Sequence, residues 1–478
     1  MAEKIIGREE EQKILRQALV SKEAELLVIY GRRRVGKTFL IRNYFRKQMT
    51  FEFTGACESG LSQQLYNFSK GLQDAMASDV PPATPVNWEQ AFTFLTSFLK
   101  GKQGNQPLVV LFDEFPWIHT AKSGFLSTFE HWWNTWASRQ PQIKVILCGS
   151  AASWMIENII NSKGGLHNRI TRAPIQLMPF TLYETKDYLV SRGIKLDNYQ
   201  VLELYMAMGG VPQYLKQVSK GESTQQVIDR LFFASNAMLK IEFKNLYQSL
   251  FANASHHENI VRALAKKGKG LSRVEILAEC GLTDGGGTTR LFDELEQSGF
   301  ITHYIPFEKT SRDTLYKLTD EYSLFYLKFV ERARATGAGT WEKIVEGQSY
   351  NSWSGFAFEA ICQKHVHQIK RALKIKAYTE VSPWRYGPGK GEKGTQIDLL
   401  LDRRDRTINI CEMKFATGEF AIDKKYAAEL ENKEKILREQ TKTKKAIFLT
   451  MITTYGVKHN EYYDKLIQGE ANMDDLFR

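Results

Sequence analysis

Three stretches of the chain combine residue types that do chemistry only at fixed spacing. They are GRRRVGKT at 31–38, LVVLFDE at 108–114, and a dispersed set made of Glu359, Asp398 and the E-x-K of Glu412 and Lys414. The first is G-x-x-x-x-G-K-T, preceded by the apolar AELLVIY and followed by KTFLIRNYF at helical spacing. A short loop between a buried strand and a helix presents successive backbone N–H groups and the positive end of the helix dipole, which together cradle phosphate. Gly31 and Gly36 let the backbone close around the phosphates, Lys37 reaches the outer ones, and the Thr38 hydroxyl is placed to hold Mg²⁺. Arg32, Arg33, Arg34 and Val35 complete this cofactor-binding loop, with solvent as the outlet for the three arginine side chains.

In LVVLFDE five apolar residues end in Asp113 and Glu114 at the carboxyl edge of a strand, where ligands bind in open α/β sheets. Asp113 is expected to hold Mg²⁺ through water and Glu114 to orient the attacking water. VILCGSAASW ends another buried strand at Ser150, a residue suited both to sensing a γ-phosphate and to simply closing a strand. Arg169 and Arg172 in GLHNRITRAPIQL are candidates for a charge donated to the transition state; each reads equally well as part of a solvated basic loop.

INICEMKF at 408–415 reads as a buried strand carrying two charges. Charges enter such runs when they are paired or working. Side chains alternate along a strand, so Ile408, Ile410, Glu412 and Lys414 share one face. Upstream lies a second apolar strand, TQIDLLLD. With Asp402 to Arg406 as the connecting turn, Asp398 falls opposite Ile410 and on the face of Glu412, an assignment that depends on register. Converging carboxylates hold Mg²⁺ and leave positions for water and phosphate oxygens. The metal would lower the pKa of a bound water, and Lys414 would position it. Glu359, in the helical SGFAFEAI, would complete the cluster. The plain alternative is a buried Glu–Lys pair in a domain that only keeps its fold.

The elements that must position these groups follow from periodicity. In the first 180 residues strands alternate with helices, which implies a parallel sheet covered on both faces. From about 181 to 247 the pattern is all helical, as in a lid or bundle. Between 256 and 320, three short helical patterns precede the hairpin-like FITHYIPF…DTLYKLT, the rhythm of a winged helix. Its third helix offers Thr288, Thr289 and Arg290 to a major groove, with Lys266, Lys267, Lys269 and Arg273 near for phosphates. The same helix carries Asp293, Glu294 and Glu296, which would repel DNA, so a domain that merely packs between its neighbours is an equal alternative. ATGAGT at 335–340 reads as a linker. These signals divide the chain into 1–180, 181–250, 251–334 and 341–478.

At 478 residues the chain accommodates about three domains of roughly 150 residues. No apolar run nears the roughly 20 residues of a membrane span, and MAEKIIGREEEQKIL has no signal core. The five cysteines lie far apart, mostly among apolar residues, which points to buried thiols in the cytoplasm and no disulfide frame or zinc site. A net charge of +11 is compatible with a polyanionic partner and equally with simple solubility.

The ordered series GREEEQKIL, GRRRVGKT, LFDEF, LCGSAASWM, the arginine-bearing loop before QLMPF, and GGVPQYL at 209–215 resembles the prokaryotic (archaeal-type) ATPases of the AAA+/STAND class. The resemblance covers roughly the first half of the chain. It implies ATP with Mg²⁺ as the cofactor, a RecA-like core with a helical lid, Ser150 as sensor, and Arg169 rather than Arg172 as the arginine finger. Such fingers often serve a neighbouring subunit, so a homo-oligomer is implied. The acidic set resembles the PD-(D/E)XK nuclease superfamily, with Asp398 as first acid, Glu412 and Lys414 as second acid and lysine, and Glu359 as helix acid. Ile397 stands where that motif has its proline. The expected fold is α/β: a RecA-like parallel-sheet P-loop ATPase core with a helical lid, a winged-helix middle domain and a C-terminal α/β nuclease-like domain. The expected activity is ATP hydrolysis, with Mg²⁺-dependent cleavage of nucleic acid, DNA first, under nucleotide control. The alternatives are a non-cleaving assembly switch and a winged-helix regulator.

Overall fold

The computed structural model describes residues 4–478 except 81, 103, 105, 121, 163–164, 252, 334–336, 338 and 388–393. Half of the linker expected at 335–340, residues 335, 336 and 338, therefore lies outside the described residues. The chain forms two compact units. The first comprises residues 1–178 with two short segments, 250–252 and 297–299. It is built on β1 (Glu25–Tyr30), β2 (Met49–Thr54), β3 (Leu108–Asp113), β4 (Ile143–Gly149) and β5 (Ile175–Gln176), in the spatial order β2-β3-β4-β1-β5. Every pairing is parallel, as the strand–helix alternation requires.

All six residues of β1 are buried, and their alternation divides them between two cores. Leu26, Val28 and Tyr30 join an aromatic cluster with Phe68, Trp88, Phe92, Phe112, Phe125 and Phe129. Leu27 and Ile29 join the opposite cluster with Leu15, Leu40, Ile41 and Phe45 from the helices Glu9–Val20 and Lys37–Tyr44. A strand buried on both faces reads as a continuous apolar run, which is why ELLVIY shows no polar alternation.

The second unit holds the remaining residues. Its helices from Leu182 to Gln248 pack on the stretch that follows the wing, with the Tyr214 and Tyr322 rings 5.2 Å apart. A small sheet of β6 (Leu271–Ser272), β7 (Ile301–Tyr304) and β8 (Leu315–Leu318), ordered β6-β8-β7, accompanies the three expected helices of the middle segment, with β6 between the first and second and the hairpin β7–β8 after the third. The C-terminal sheet consists of β9 (Thr379–Tyr386), β10 (Thr395–Arg403), β11 (Thr407–Lys414), β12 (Ala446–Thr453) and β13 (Ile467–Asn472), ordered β13-β12-β11-β10-β9. Pairing is antiparallel among β9, β10 and β11 and parallel from β11 to β13. One face packs on the helix Lys424–Thr441 through Ala427, Leu430 and Leu437, which meet Ile397, Leu400, Ile408, Ile410 and Met451.

Polar contacts join the parts of this unit. The imidazole of His365 accepts at Nε2 from the Leu182 N–H (3.2 Å) and donates from Nδ1 to the Ile361 carbonyl (2.8 Å). Its burial lowers its pKa to about 4, in keeping with this neutral tautomer. The Tyr350 hydroxyl donates to Glu203 at 3.3 Å. Burial pushes Glu203 from the ordinary 4.5 up to about 7, although the tyrosine bond opposes the shift.

The raised Glu203 pKa has a definite linkage sign. A carboxyl with a raised folded pKa takes up protons on folding, so its unfavourable contribution grows between about 4.5 and 7 and is constant above. Glu203→Gln keeps an acceptor for Tyr350 and should gain about 1–3 kcal/mol over the parent at pH 8, and almost nothing near pH 4.5. Denaturant unfolding of both proteins at the two pH values measures this. His365 contributes in the opposite sense, losing stability as pH falls from 6.5 toward 4, and cancels in the difference.

Candidate functional site

The carboxyl ends of β1, β3 and β4 meet at one edge of the first unit. The loop 31–36 leaves β1 with Gly31 at φ 144°, where an added Cβ would lie 2.3 Å from the Leu177 carbonyl oxygen. Gly36, at φ 94°, starts the helix Lys37–Tyr44, and no side chain caps that start. Its first N–H groups are therefore left for an anion. Lys37 is buried, and its ammonium donates to the carbonyls of Gly31 (2.8 Å) and Arg32 (3.1 Å). The Thr38 hydroxyl donates to Asp113 Oδ2 at 2.9 Å. Two oxygen ligands thus adjoin a lysine and an open helix end, a set that fits a nucleoside triphosphate with Mg²⁺.

Asp113 also accepts from the Glu114 N–H at 3.0 Å, and Glu114 itself takes a left-handed φ of 47°. Its carboxylate Oε2 accepts from the Ser150 hydroxyl (2.6 Å) and the Ser150 N–H (3.2 Å). Strand β4 lies between β1 and β3, so Ser150 at its end is the natural neighbour of both motifs. Burial, with the Asp113 carboxylate beside it, raises the Cys148 thiol well above its ordinary value, so this cysteine is inert packing.

The arginines separate by environment. Arg32 is buried, 3% exposed, which corrects the expectation that all three loop arginines face solvent. The Arg33 guanidinium stands 4.7 Å from the centre of the Trp117 ring, and Arg34 adopts φ 71°. Buried Arg8, from the early GREEE stretch, donates to the Val35 carbonyl at 3.4 Å, a support that the sequence reading missed. Arg172 is tied to Glu25 by three hydrogen bonds of 2.6 to 3.2 Å, whereas Arg169 is exposed.

In the C-terminal sheet the register differs from expectation. Leu400 pairs with Ile410 and Asp402 with Ile408, so the turn is the three residues Arg404–Arg406 and the ladder runs toward Asp398 opposite Glu412, two residues from the expected partner. Arg406 closes the turn at φ 64°, as short hairpin loops require. A bulge between Ile397 and Leu400 intervenes. Ile397 and Leu400 both enter the core under the helix Lys424–Thr441, so Asp398 turns to the other side. There it lines a cavity of about 230 Å³ with Glu359 and Gln363 of the helix Gln348–Lys364, Lys317 of β8 and Arg385 of β9. Glu412 faces the helix Lys424–Thr441, accepting from the Tyr426 hydroxyl at 3.2 Å and pairing with Lys433. The Lys414 ammonium lies 4.9 Å from the Tyr426 ring centre.

The expected convergence of Asp398, Glu412 and Lys414 on one face is therefore not formed, and the bulge is the reason. Glu359 and Asp398 do come together. Burial and then Asp398 raise Glu359 to about 7, against Lys317 and Lys414. Among the described residues, no three His, Cys, Asp or Glu side chains are grouped to hold a metal ion. Lys317, Lys433 and Tyr426 were not singled out by the sequence, because a lone lysine in a hairpin or a charged helix carries no signal of its partner.

The middle segment has the expected helices and hairpin, but its reading face is occupied. Thr288 is buried and donates to the Thr283 carbonyl at 2.6 Å, while Arg290 is paired with Glu294 at 2.9 Å. The hairpin packs on the tail, where the Phe307 N–H donates to the Pro383 carbonyl at 2.9 Å. These contacts favour the packing role. The expected burial of thiols holds for Cys148, Cys362 and Cys411, whereas Cys57 is exposed. Among the described residues no helix is long and apolar enough to cross a membrane.

Comparison with known proteins agrees with this arrangement. Residues 5–218 match the family described as an ATPase domain predominantly from Archaea, and the phosphate loop and Asp113 lie within the matched segment. Residues 326–436 match a family of archaeal and bacterial proteins of unknown function. An uncharacterized protein of Methanocaldococcus jannaschii is 25% identical over 445 residues, covering 90% of this chain and 92% of its own. The Walker-type ATPase PABY2304 of Pyrococcus abyssi shares the fold at a TM-score of 0.50 and 18% identity, over 68% of this chain and 96% of its own.

The contact of Gly31 with Leu177 is testable. Gly31→Ala should displace the loop and weaken binding of a fluorescent ATP analogue at least about tenfold, with far-UV circular dichroism unchanged.

Proposed function

We propose that the chain is an ATP-hydrolysing switch of the AAA+/STAND type whose C-terminal region engages nucleic acid under nucleotide control. The observation that carries the first part is the Thr38–Asp113 bond at the mouth of the phosphate loop. Thr38 and Asp113 would hold Mg²⁺, which offsets charge on the β- and γ-phosphates. Lys37, now held by the Gly31 and Arg32 carbonyls, would turn to the outer phosphates while Gly31 to Gly36 supply backbone N–H groups. Glu114 orients the attacking water once it exchanges its bond with Ser150, which makes Ser150 the sensor of the γ-position. Exposed Arg169 is the finger available to a neighbouring copy, and Arg172, committed to Glu25, is not. The free thiols support a cytoplasmic setting.

Metal-dependent cleavage by the tail is the second reading. The pair Glu359 and Asp398 in one cavity favours it, while Glu412 is committed to Lys433. Labelled DNA and RNA incubated with Mg²⁺ or Mn²⁺, with and without ATP, distinguish the two. Cleavage lost in Asp398→Ala carries the second reading, and no cleavage leaves the binding switch.

Steady-state ATP turnover tests the main reading. Lys37→Ala and Asp113→Ala should each lower it at least about tenfold, and Glu114→Gln should bind ATP normally while hydrolysing it slowly. Normal turnover in the Lys37 variant would remove the phosphate-loop assignment. Arg169→Ala should lower turnover without changing nucleotide affinity, because a finger acts in the transition state.

A further inference from the structure

We propose that one end of the C-terminal sheet is a docking platform for single-stranded nucleic acid, held by its phosphates and by stacking of an unpaired base. The proposal rests on the nucleic-acid reading above and gives it a place and a substrate class. Three segments meet at this end. The Arg404 N–H donates to the Tyr378 carbonyl at 3.0 Å, and the Ala446 N–H to the Arg406 carbonyl at 3.0 Å. The loop entering β9, the turn between β10 and β11, and the turn entering β12 are thereby joined.

Their exposed side chains are cationic: Lys374 and Lys376, Arg404 and Arg406, Lys442 and Lys444. The nearby acids are mostly answered from within. Asp402 is paired with Lys445 and Asp405 with Arg403, which leaves Glu380 and Glu308 as exposed acids near them against six cations. The positive excess is therefore free to meet phosphate, and such contacts release counterions from a nucleic-acid strand.

Backbone conformation adds a second argument. Each of the three turns contains a cation in the left-handed region: Lys374 at φ 55°, Arg406 at φ 64° and Lys442 at φ 51°. Glycine adopts that region freely, whereas an L side chain there costs on the order of 1 kcal/mol. Folding alone would favour glycine at all three positions. Among the described residues, three of the ten non-glycine residues in that region are thus cations gathered at this one end of the sheet.

The third observation selects the partner. Tyr378 is 59% exposed, and the Arg404 guanidinium lies 4.5 Å from its ring centre. A flat aromatic beside a flat cation stacks on an unpaired base while contacting its phosphate. Bases within a duplex are already stacked and offer no face. An acidic protein or an anionic membrane would use the charges but not the ring. The platform is distinct from Asp398 of the acidic cavity, which lies six residues along β10 from Arg404, about 20 Å away.

The test uses the full chain and a labelled oligothymidylate of about 20 nucleotides, followed by fluorescence anisotropy between about 50 and 200 mM salt. The triple variant Lys374→Gly, Arg406→Gly, Lys442→Gly should unfold at higher temperature than the parent yet bind at least about tenfold more weakly, with a shallower salt dependence. Tyr378→Ala should weaken binding about fivefold or more. ATP turnover should be unchanged in both. If the parent binds and the variants bind equally well, the platform is wrong and the nucleic-acid reading stands. Tighter binding of a duplex of the same length overturns the single-strand assignment. If the parent binds no nucleic acid, both readings fall.

Discussion

The Thr38–Asp113 hydrogen bond joins residues 75 positions apart, and the candidate phosphate site depends on it. It exists because β1 and β3 run parallel and end at one edge, with only β4 between them. Adjacent strands are about 4.8 Å apart, so two strand spacings separate the motifs. The loop from Gly31 to Gly36 and the first turn of the following helix bridge that gap, and Ser150 at the end of β4 holds Glu114. The aromatic core beneath Phe112 and the aliphatic core beneath Leu111 keep β3 in place from both sides. Two-sided burial thus fixes the positions of oxygens that have to be correct to a few tenths of an ångström.

The C-terminal sheet shows how little backbone change is needed to redistribute charge. One bulge between Ile397 and Leu400 turns Asp398 toward Glu359 and Gln363, while Glu412 meets Tyr426 and Lys433 beneath the opposite helix. A carboxylate with relative exposure of 7% needs a partner, and Lys433 supplies it. Among the described residues no ammonium is bonded to Glu359, and burial together with Asp398 raises its pKa. The two carboxylates therefore differ in what they can do: Glu412 is neutralised by a lysine, and Glu359 is poised between protonation states near neutral pH.

The contacts of the middle segment favour packing for a similar reason. Thr288 points inward, Arg290 is spent on Glu294, and Glu294 in turn accepts from His257. A helix whose polar groups are satisfied within its own domain has little left to offer base edges. The hairpin contributes instead to the cavity that contains Asp398, through Lys317.

The sequence by itself determined everything that depends on neighbours along the chain. A glycine-rich loop between an apolar strand and a helix can be read locally, and so can a strand ending in two acids. The strand–helix alternation implied the parallel sheet, and the helices and hairpin of the middle segment were legible in the same way. Only the tertiary structure decided the pairings across sequence. The partner of Glu412 is 21 residues away on a helix and that of Arg172 is 147 residues away on a strand; neither follows from spacing. The bulge in β10 was equally illegible, since TQIDLLLD contains no glycine or proline to announce it. Register is set by the fit of whole faces against their cores, a sum over many contacts that no local motif records.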